Sequence, residues 1–372
     1  MSTSINGGPQ RPSLAYAYAG PALNAVIKQQ AEDFYVDEIL GFEPSGVGEH
    51  VFLHIEKRCL TTLAVRDAIA KLAGCKLMDV GYSGLKDKWA VTRQWFSVYL
   101  SAKTEPNWLK LMIDSPSSQA YLRVLKVARH DRKLRRGTHK ENAFKLVLRD
   151  VSDVDCLSMN AEDYFNQRLT TLREQGFPNY FGQQRFSSQN LAKARQLFDI
   201  DKRMPREQRS LCLSAARAYL FNLLLSERVK QDNWSHYLAG DVLMLAGSRS
   251  QFSLHENTAD WVNSSAADEL MRQVNSIEQR LSEADIHISG PLCGRGESPL
   301  SAAALALETA VFRSEQALVD GLCRQGVEQA RRPLRAMPKQ LKWQFKSEKL
   351  QLCFVLPTGS YATVLLRELV EC

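Results

Sequence analysis

GYSGLKDKWAVTRQWF, residues 81–96, carries a glycine-bearing turn straight into an apolar and aromatic run. The turn sets one carboxylate, Asp87, between Lys86 and Lys88. The run behind it continues through QWFSVYL and has the β-branched and aromatic content of a strand. A lone acid between two cations at the mouth of a strand has two readings. It is a solvated turn, or it is an ionised carboxylate held ready to act on something anionic.

Upstream, NAVIKQQ, DFYVDEIL and HVFLHIE alternate apolar and polar residues and read as three short strands, separated by turns such as GFEPSGVGE. Thr61 or Thr62 caps a helix with Val65, Ile69 and Leu72 on one face, closed by Gly74. Downstream, YLRVLKVAR and AFKLVLRDV add strands, and a helix is expected from about Ser152 to Gln175, stopped by Gly176 and Pro178. The spacing lacks the helix after every strand that a doubly wound parallel sheet requires. The expected class is therefore α+β with a mainly antiparallel sheet. Residues 188–330 read as largely helical, with long segments through SLCLSAARAYLFNLLLSERV and SAAALALETAVFRSEQALVDGL. Strand alternation returns near Pro338 in QLKWQF and LQLCFVL, about a turn at KSEK. A strand-rich domain, residues 1–175 and 337–372, is thus expected to be interrupted by a mostly helical insert, residues 176–336.

The 372 residues, 44% apolar and 24% charged, have the composition of a soluble globular chain, with no apolar run of membrane-spanning length. The first fifteen residues lack the apolar core of a signal peptide, so the expected location is the cytoplasm. Eight scattered cysteines without a CxxC pair read as free thiols. His50 and His54 alternate along a strand with no third ligand nearby, so no metal is expected. Phosphate-loop, dinucleotide and GxSxG signatures are missing, which argues against an NTPase, a dehydrogenase and a serine hydrolase. Net charge is +7, and residues 176–336 hold 19 basic against 18 acidic side chains, leaving +6 of the excess outside them. The densest basic run is ARHDRKLRRGTHK, residues 128–140, which suits a polyanion such as RNA or DNA; its bland reading is a solvated loop.

Polar and aromatic residues gather in AEDFYVDE behind Lys28, in GLKDKWAVTRQ around Asp87, in HKENAFKLVLR with Asn142 and Phe144, in FPNYFGQQRF, and in LPTGSYATVLLRE with Tyr361. Singly, each reads as core or turn. Together they supply the stacking faces and hydrogen-bond partners that a nucleobase pocket needs.

KQQAEDFYVDE, GEHVFLHIEK, GYSGLKDKWAVTRQWF, ENAFKLVLR, PNYFGQQRF, LSAARAYLFN and LPTGSYATVLLRE, in this order over about residues 24–369, closely resemble the TruD family of tRNA pseudouridine synthases. The resemblance implies the pseudouridine-synthase fold, an inserted family-specific domain, and a cleft between the two for an RNA stem. It implies isomerisation of uridine to pseudouridine in tRNA, at uridine 13, with no cofactor. Asp87 matches the catalytic carboxylate, acting as nucleophile at C1′ or as base at C2′, and Lys28 the cation that pairs with it and keeps it ionised. Phe34, Asn142, Phe144 and Tyr361 match positions lining the substrate pocket, Phe144 being the aromatic that stacks on the base. Tyr361 carries a hydroxyl where the family often has phenylalanine.

Gly84, Lys86, Thr92 and Gln94 belong to the motif around Asp87 and are expected to support it. Arg132, Lys133, Arg135 and Arg136, with Arg185 of FGQQRF, are expected along the RNA backbone. The expected partner is tRNA, with no membrane and no nucleotide cofactor, and the chain is expected to act as a monomer. The alternative is a catalytically inactive tRNA-binding or RNA-chaperone protein on the same fold. A deaminase would want a His/Cys zinc site and a glycosidase a carboxylate pair; neither has a motif here.

Overall fold

In the computed structural model the alternating segments become strands whose inward positions are apolar. It describes residues 13–371 apart from 101–103, 116–118, 154–158, 183–184, 186–187, 201–203 and 255–263. Cys156, Cys372, three residues of the FGQQRF motif (Gln183, Gln184 and Phe186) and most of the first fifteen residues therefore lie outside the described residues. The chain forms two compact units. The described parts of Pro21–Arg173, Pro338–Ala362 and Leu369–Cys372 make one, and those of Met1–Gly20, Glu174–Met337 and Thr363–Glu368 the other.

The first unit begins with β1 (Leu23–Val26), β2 (Phe34–Ile39), β3 (His50–Arg58), α1 (Thr62–Ala73), β4 (Val80–Tyr82), β5 (Val91–Tyr99), β6 (Ile113–Ser115), β7 (Ala120–His130), β8 (Glu141–Asp153) and α2 (Ala161–Gln175). The second unit supplies β9 (Phe177–Pro178), α3 (Ser188–Ile200), α4 (Arg206–Lys230), β10 (Val242–Leu245), β11 (Gln251–Ser253), α5 (Ser264–Ser282), β12 (Ile286–Leu292), α6 (Ala302–Phe312), α7 (Gln316–Arg324), β13 (Ala330–Pro333) and β14 (Arg335–Ala336). The chain then returns to the first unit with β15 (Lys339–Lys346) and β16 (Lys349–Pro357); α8 (Ala362–Arg367), which follows, belongs to the second unit from Thr363 on.

Ten strands of the first unit form one sheet, in the order β15-β16-β8-β2-β5-β3-β7-β6, with β1 on β8 and β4 on β5. β2 and β5 run parallel and the other pairs antiparallel, so the sheet is mixed but mainly antiparallel. Val51, Leu53 and Ile55 of β3 point to one face and bury α1 through Val65, Ile69 and Ala70. Thr61 caps that helix by accepting the Ala64 N–H, and Gly74, at φ +58°, ends it in the left-handed conformation a helix C-terminus favours. The β15–β16 hairpin turns on Ser347 and Glu348, both left-handed at φ 51° and 60°, as a two-residue turn matched to strand twist requires.

Two expectations need correction. The helix expected from Ser152 begins at Ala161, because β8 runs on to Asp153. There β1 takes over as its partner, pairing Leu23 with Asp153 and Asn24 with Ser152. The segment read as one helix through residues 301–322 divides into α6 and α7 at a tight turn, Arg313–Glu315.

In the second unit α3, α4 and α7 share a core of Leu197, Phe198, Leu220, Leu224, Leu318 and Leu322. Beside its helices the unit holds a four-stranded sheet, β11-β10-β12-β13, that the helical expectation omits. Among the described residues no helix is long and apolar enough to cross a membrane. The described cysteines are free thiols; Cys59, Cys212 and Cys293 are buried, whereas Cys353 is exposed.

Candidate active site

Paired positions on neighbouring strands share one face of a sheet. Lys57 pairs with Thr92, Thr92 with Val36, Val36 with Phe144, and Phe144 with Phe354. These five therefore form a row across β3, β5, β2, β8 and β16. The adjacent row on that face contains Glu38, Asn142 and Leu356, since Glu38 and Leu356 both pair with Asn142. Strand register thus gathers residues more than a hundred positions apart. The Phe144 ring is buried, stacked on Phe354 at 5.2 Å and edge-on to Phe34 at 6.3 Å.

The turn between β4 and β5 lies over this face and is held by buried side chains. The Thr62 hydroxyl accepts the Lys86 N–H (2.9 Å) and donates to Gln94 Oε1 (3.0 Å). Gln94 Nε2 donates to the Gly84 carbonyl (2.5 Å). Lys57 Nζ donates to the carbonyls of Asp87 (2.9 Å) and Leu60 (2.7 Å). The backbone is thereby fixed at residues 84, 86 and 87, while the Asp87 side chain keeps 33% exposure. Its Oδ2 lies 2.7 Å from Lys28 Nζ. That ammonium also sits 4.2 Å over the Phe34 ring, a cation–π contact. Lys28 adopts φ +57°, an unusual backbone state for a lysine, which costs about 1 kcal/mol or more and turns its side chain to the carboxylate.

The lysines flanking Asp87 part company. Lys86 turns inward, its Nζ 2.9 Å from Glu38 Oε2 and 2.6 Å from Asn142 Oδ1. Lys88 stays outside, 4.9 Å over the ring of Trp89, which is 63% exposed. Burial pushes the Glu38 carboxyl up, and Lys86 opposes it. His139, buried beside Asn142, is pushed down to about 3 by burial and by the Lys86 charge, so it is neutral at physiological pH.

Thr92 is fully buried and its hydroxyl has no hydrogen-bond partner among the described residues. Tyr361 is half-buried at the entry to α8. Arg132 (86% exposed), Lys133, Arg135 and Arg136 lie on the exposed β7–β8 loop, which buried Leu134 pins to the sheet. Three of the four have local partners: Lys133 donates to the Met78 carbonyl, Arg136 to the Tyr82 hydroxyl, and Arg132 lies 3.5 Å from the Asp131 carboxylate. Arg185 is exposed in the second unit, against the Phe181 ring.

Lys57, Glu38, His139 and Ser83 escaped the sequence reading. For two of them a signal existed. Lys57 continues the inward series Val51, Leu53, Ile55, and Glu38 the series Phe34, Val36, so each puts a charge where the alternation calls for an apolar side chain. A charge at an inward position is costly unless paired.

Burial of Lys57 pushes its ammonium down to about 8 from the ordinary 10.5. Between those values the unfolded chain holds more protons than the folded one, so the Lys57 contribution to stability rises with pH. The difference in urea-unfolding free energy between the unaltered chain and Lys57→Met should move in favour of the former by about 3 kcal/mol from pH 8 to 10.5. A difference that stays constant would contradict a buried, charged Lys57.

The family model for tRNA pseudouridine synthase D (TruD) matches residues 13–195 and 188–369. Curated relatives carrying that name are similar over nearly the whole length. One from Methylococcus capsulatus is 42% identical, covering 99% of this chain and 98% of its own. One from Azotobacter vinelandii is 43% identical, covering 100% and 96%. A crystal structure of a TruD-named protein from Methanosarcina mazei superposes with a TM-score of 0.66 over 96% of both chains at 19% identity, a likeness of fold. By its match to the family model and by these full-length relatives, the chain belongs to the TruD family.

Proposed function

We propose that the chain isomerises uridine to pseudouridine in tRNA, with Asp87 as its catalytic carboxylate and uridine 13 as its target. The observation that carries this reading is the Asp87 turn. Its backbone is fixed by Thr62, Gln94 and Lys57, while its carboxylate remains partly exposed against Lys28. A rigid backbone under a reachable acid is the preorganisation that chemistry at one atom requires. The relatives' shared name supplies the substrate class.

The reaction breaks the C1′–N1 bond, turns the base, and forms a C1′–C5 bond. The hydrogen on C5 leaves to solvent and N1 gains a proton, so no oxidant or cofactor is consumed. A carboxylate beside the ribose assists either by adding to C1′ or by removing the C2′ proton. The target uridine has to leave its stack to reach such a group. Phe34, Phe144 and Tyr361 then offer apolar walls and Asn142 a polar one, the aromatic surfaces contributing roughly 1–3 kcal/mol per stacked base. tRNA labelled with tritium at uridine C5 tests the reading. Purified protein should release a single tritium per tRNA, and no release would sink it.

The exposed cations of the β7–β8 loop are assigned to RNA phosphates, with Arg185 contributing from the second unit. Replacing Arg132, Lys133, Arg135 and Arg136 together by glutamine should weaken tRNA binding. It should also flatten the dependence of affinity on salt, by about 0.7 in log–log slope for each phosphate that is no longer neutralised. An unchanged slope would place the loop off the RNA path.

A further inference from the structure

Behind Asn142 lies a chain of hydrogen bonds that runs in one direction. Lys86 Nζ is 2.6 Å from the Asn142 oxygen, and an ammonium can only donate. The Asn142 atom facing Lys86 is therefore Oδ1, and the opposite atom, Nδ2, faces His139 Nε2 at 3.1 Å. Nδ2 is a donor, so a neutral His139 must offer Nε2 bare and carry its proton on Nδ1. Nδ1 lies 2.5 Å from Ser83 Oγ, which can accept that proton's hydrogen bond along with the one from the His139 backbone N–H (2.8 Å). At the other end Glu38 holds Lys86 at 2.9 Å. His139, Glu38 and Asn142 are all buried, so water does not readily substitute for a missing partner.

A side-chain amide has two N–H donors and two oxygen lone pairs. In Asn142 one of each is used, by His139 and by Lys86. One N–H and one lone pair remain, and the chain behind them fixes which side each occupies.

We propose that Glu38, Lys86, His139 and Ser83 lock the amide orientation of Asn142, and that this lock makes the pocket select uracil over cytosine. The proposal rests on the reading that Asn142 faces the target base. With Oδ1 against ring position N3, uracil presents an N–H and cytosine a lone pair. An amide free to flip would accommodate either base by exchanging its oxygen and nitrogen. The Lys86 charge forbids the flip, since it would set the Asn142 NH₂ against an ammonium and the amide oxygen against the bare Nε2 of His139. Lys86 is thus the specificity-determining residue, and Glu38, His139 and Ser83 are positioning residues that act through it or through Asn142.

Two measurements test this. In protein labelled with ¹⁵N, the imidazole resonances of His139 report the tautomer without any RNA. A proton on Nδ1 with Nε2 bare is expected, and the Nε2–H form would overturn the lock. The second measurement uses an Asp87→Asn background, so that the target stays uridine, and compares affinities for tRNA with uridine or cytidine at the target position. The background protein should prefer uridine by about tenfold or more, the worth of one well-made hydrogen bond against one opposed pair.

Lys86→Arg keeps a donor-only cation and should retain the preference. The pair Glu38→Gln with Lys86→Met removes both buried charges together, so neither is left uncompensated, and should bring the ratio towards one. The double variant is compared at a retained urea-unfolding midpoint, since a general loss of structure would also abolish the preference; a folded double variant whose ratio stays at the background value overturns the proposal. If the unaltered protein forms no pseudouridine at all, the functional reading fails instead, and the tautomer measurement still decides the lock.

Discussion

Asp87→Asn should lower the rate of pseudouridine formation by at least about 10²–10⁴-fold while leaving tRNA affinity within a few-fold of the unaltered protein. Asparagine matches aspartate in shape, so the Thr62, Gln94 and Lys57 hydrogen bonds, all made to backbone or to neighbouring residues, survive the change. What disappears is the negative charge and the lone pair able to add to carbon or take a proton. Lys28 then faces a neutral amide at the position where it now meets Oδ2 at 2.7 Å. Single-turnover rates beside equilibrium binding separate the two effects. Loss of binding in step with loss of rate would make Asp87 a structural acid, and retention of rate would remove it from the chemistry.

Asp241→Ala should destabilise the second unit by about 3–5 kcal/mol. Arg228 on α4 meets Asp241 with two parallel bonds, Nη1 to Oδ1 and Nη2 to Oδ2, each 2.9 Å, and both side chains are buried. The same guanidinium donates to the Asn233 carbonyl, and Asp241 Oδ2 accepts the Leu238 N–H, so the pair ties the end of α4 to the entry of β10. Removing the acid leaves a buried cation without a counter-charge, which is far more costly than removing the pair as a whole. Arg228→Met with Asp241→Leu should therefore cost less than Asp241→Ala alone. Urea unfolding of the three proteins checks the order. A loss under about 1 kcal/mol for Asp241→Ala would show that water reaches the site.

Much of the first unit was legible because its strands alternate cleanly. DFYVDEI and HVFLHIEKR show their inward faces residue by residue, and Thr61 and Gly74 bracket α1. The end of β8 was not legible, since its partner there is β1, some 130 residues away, and no local period records that pairing. The small sheet of the second unit was hidden for a different reason. β10, β11 and β13 are three or four residues long, and β12 contains Gly290 and Pro291, residues that argue against a strand with neighbours on both sides.

At the site, Asp87, Lys28, Asn142 and the aromatics were named from a resemblance, not from spacing. Lys57 and Glu38 could have been found from the residues themselves, as charges in phase with a buried face. Ser83 and His139 could not, because their meeting depends on two loops brought together by the register of β4, β5 and β8.

The most direct test of the account is nucleotide-resolution mapping of pseudouridine in tRNA, made before and after incubation with the purified protein and with its Asp87→Asn variant. A new pseudouridine is expected at position 13 with the unaltered protein and none with the variant. Unchanged uridine with both proteins, or equal conversion by both, would contradict it.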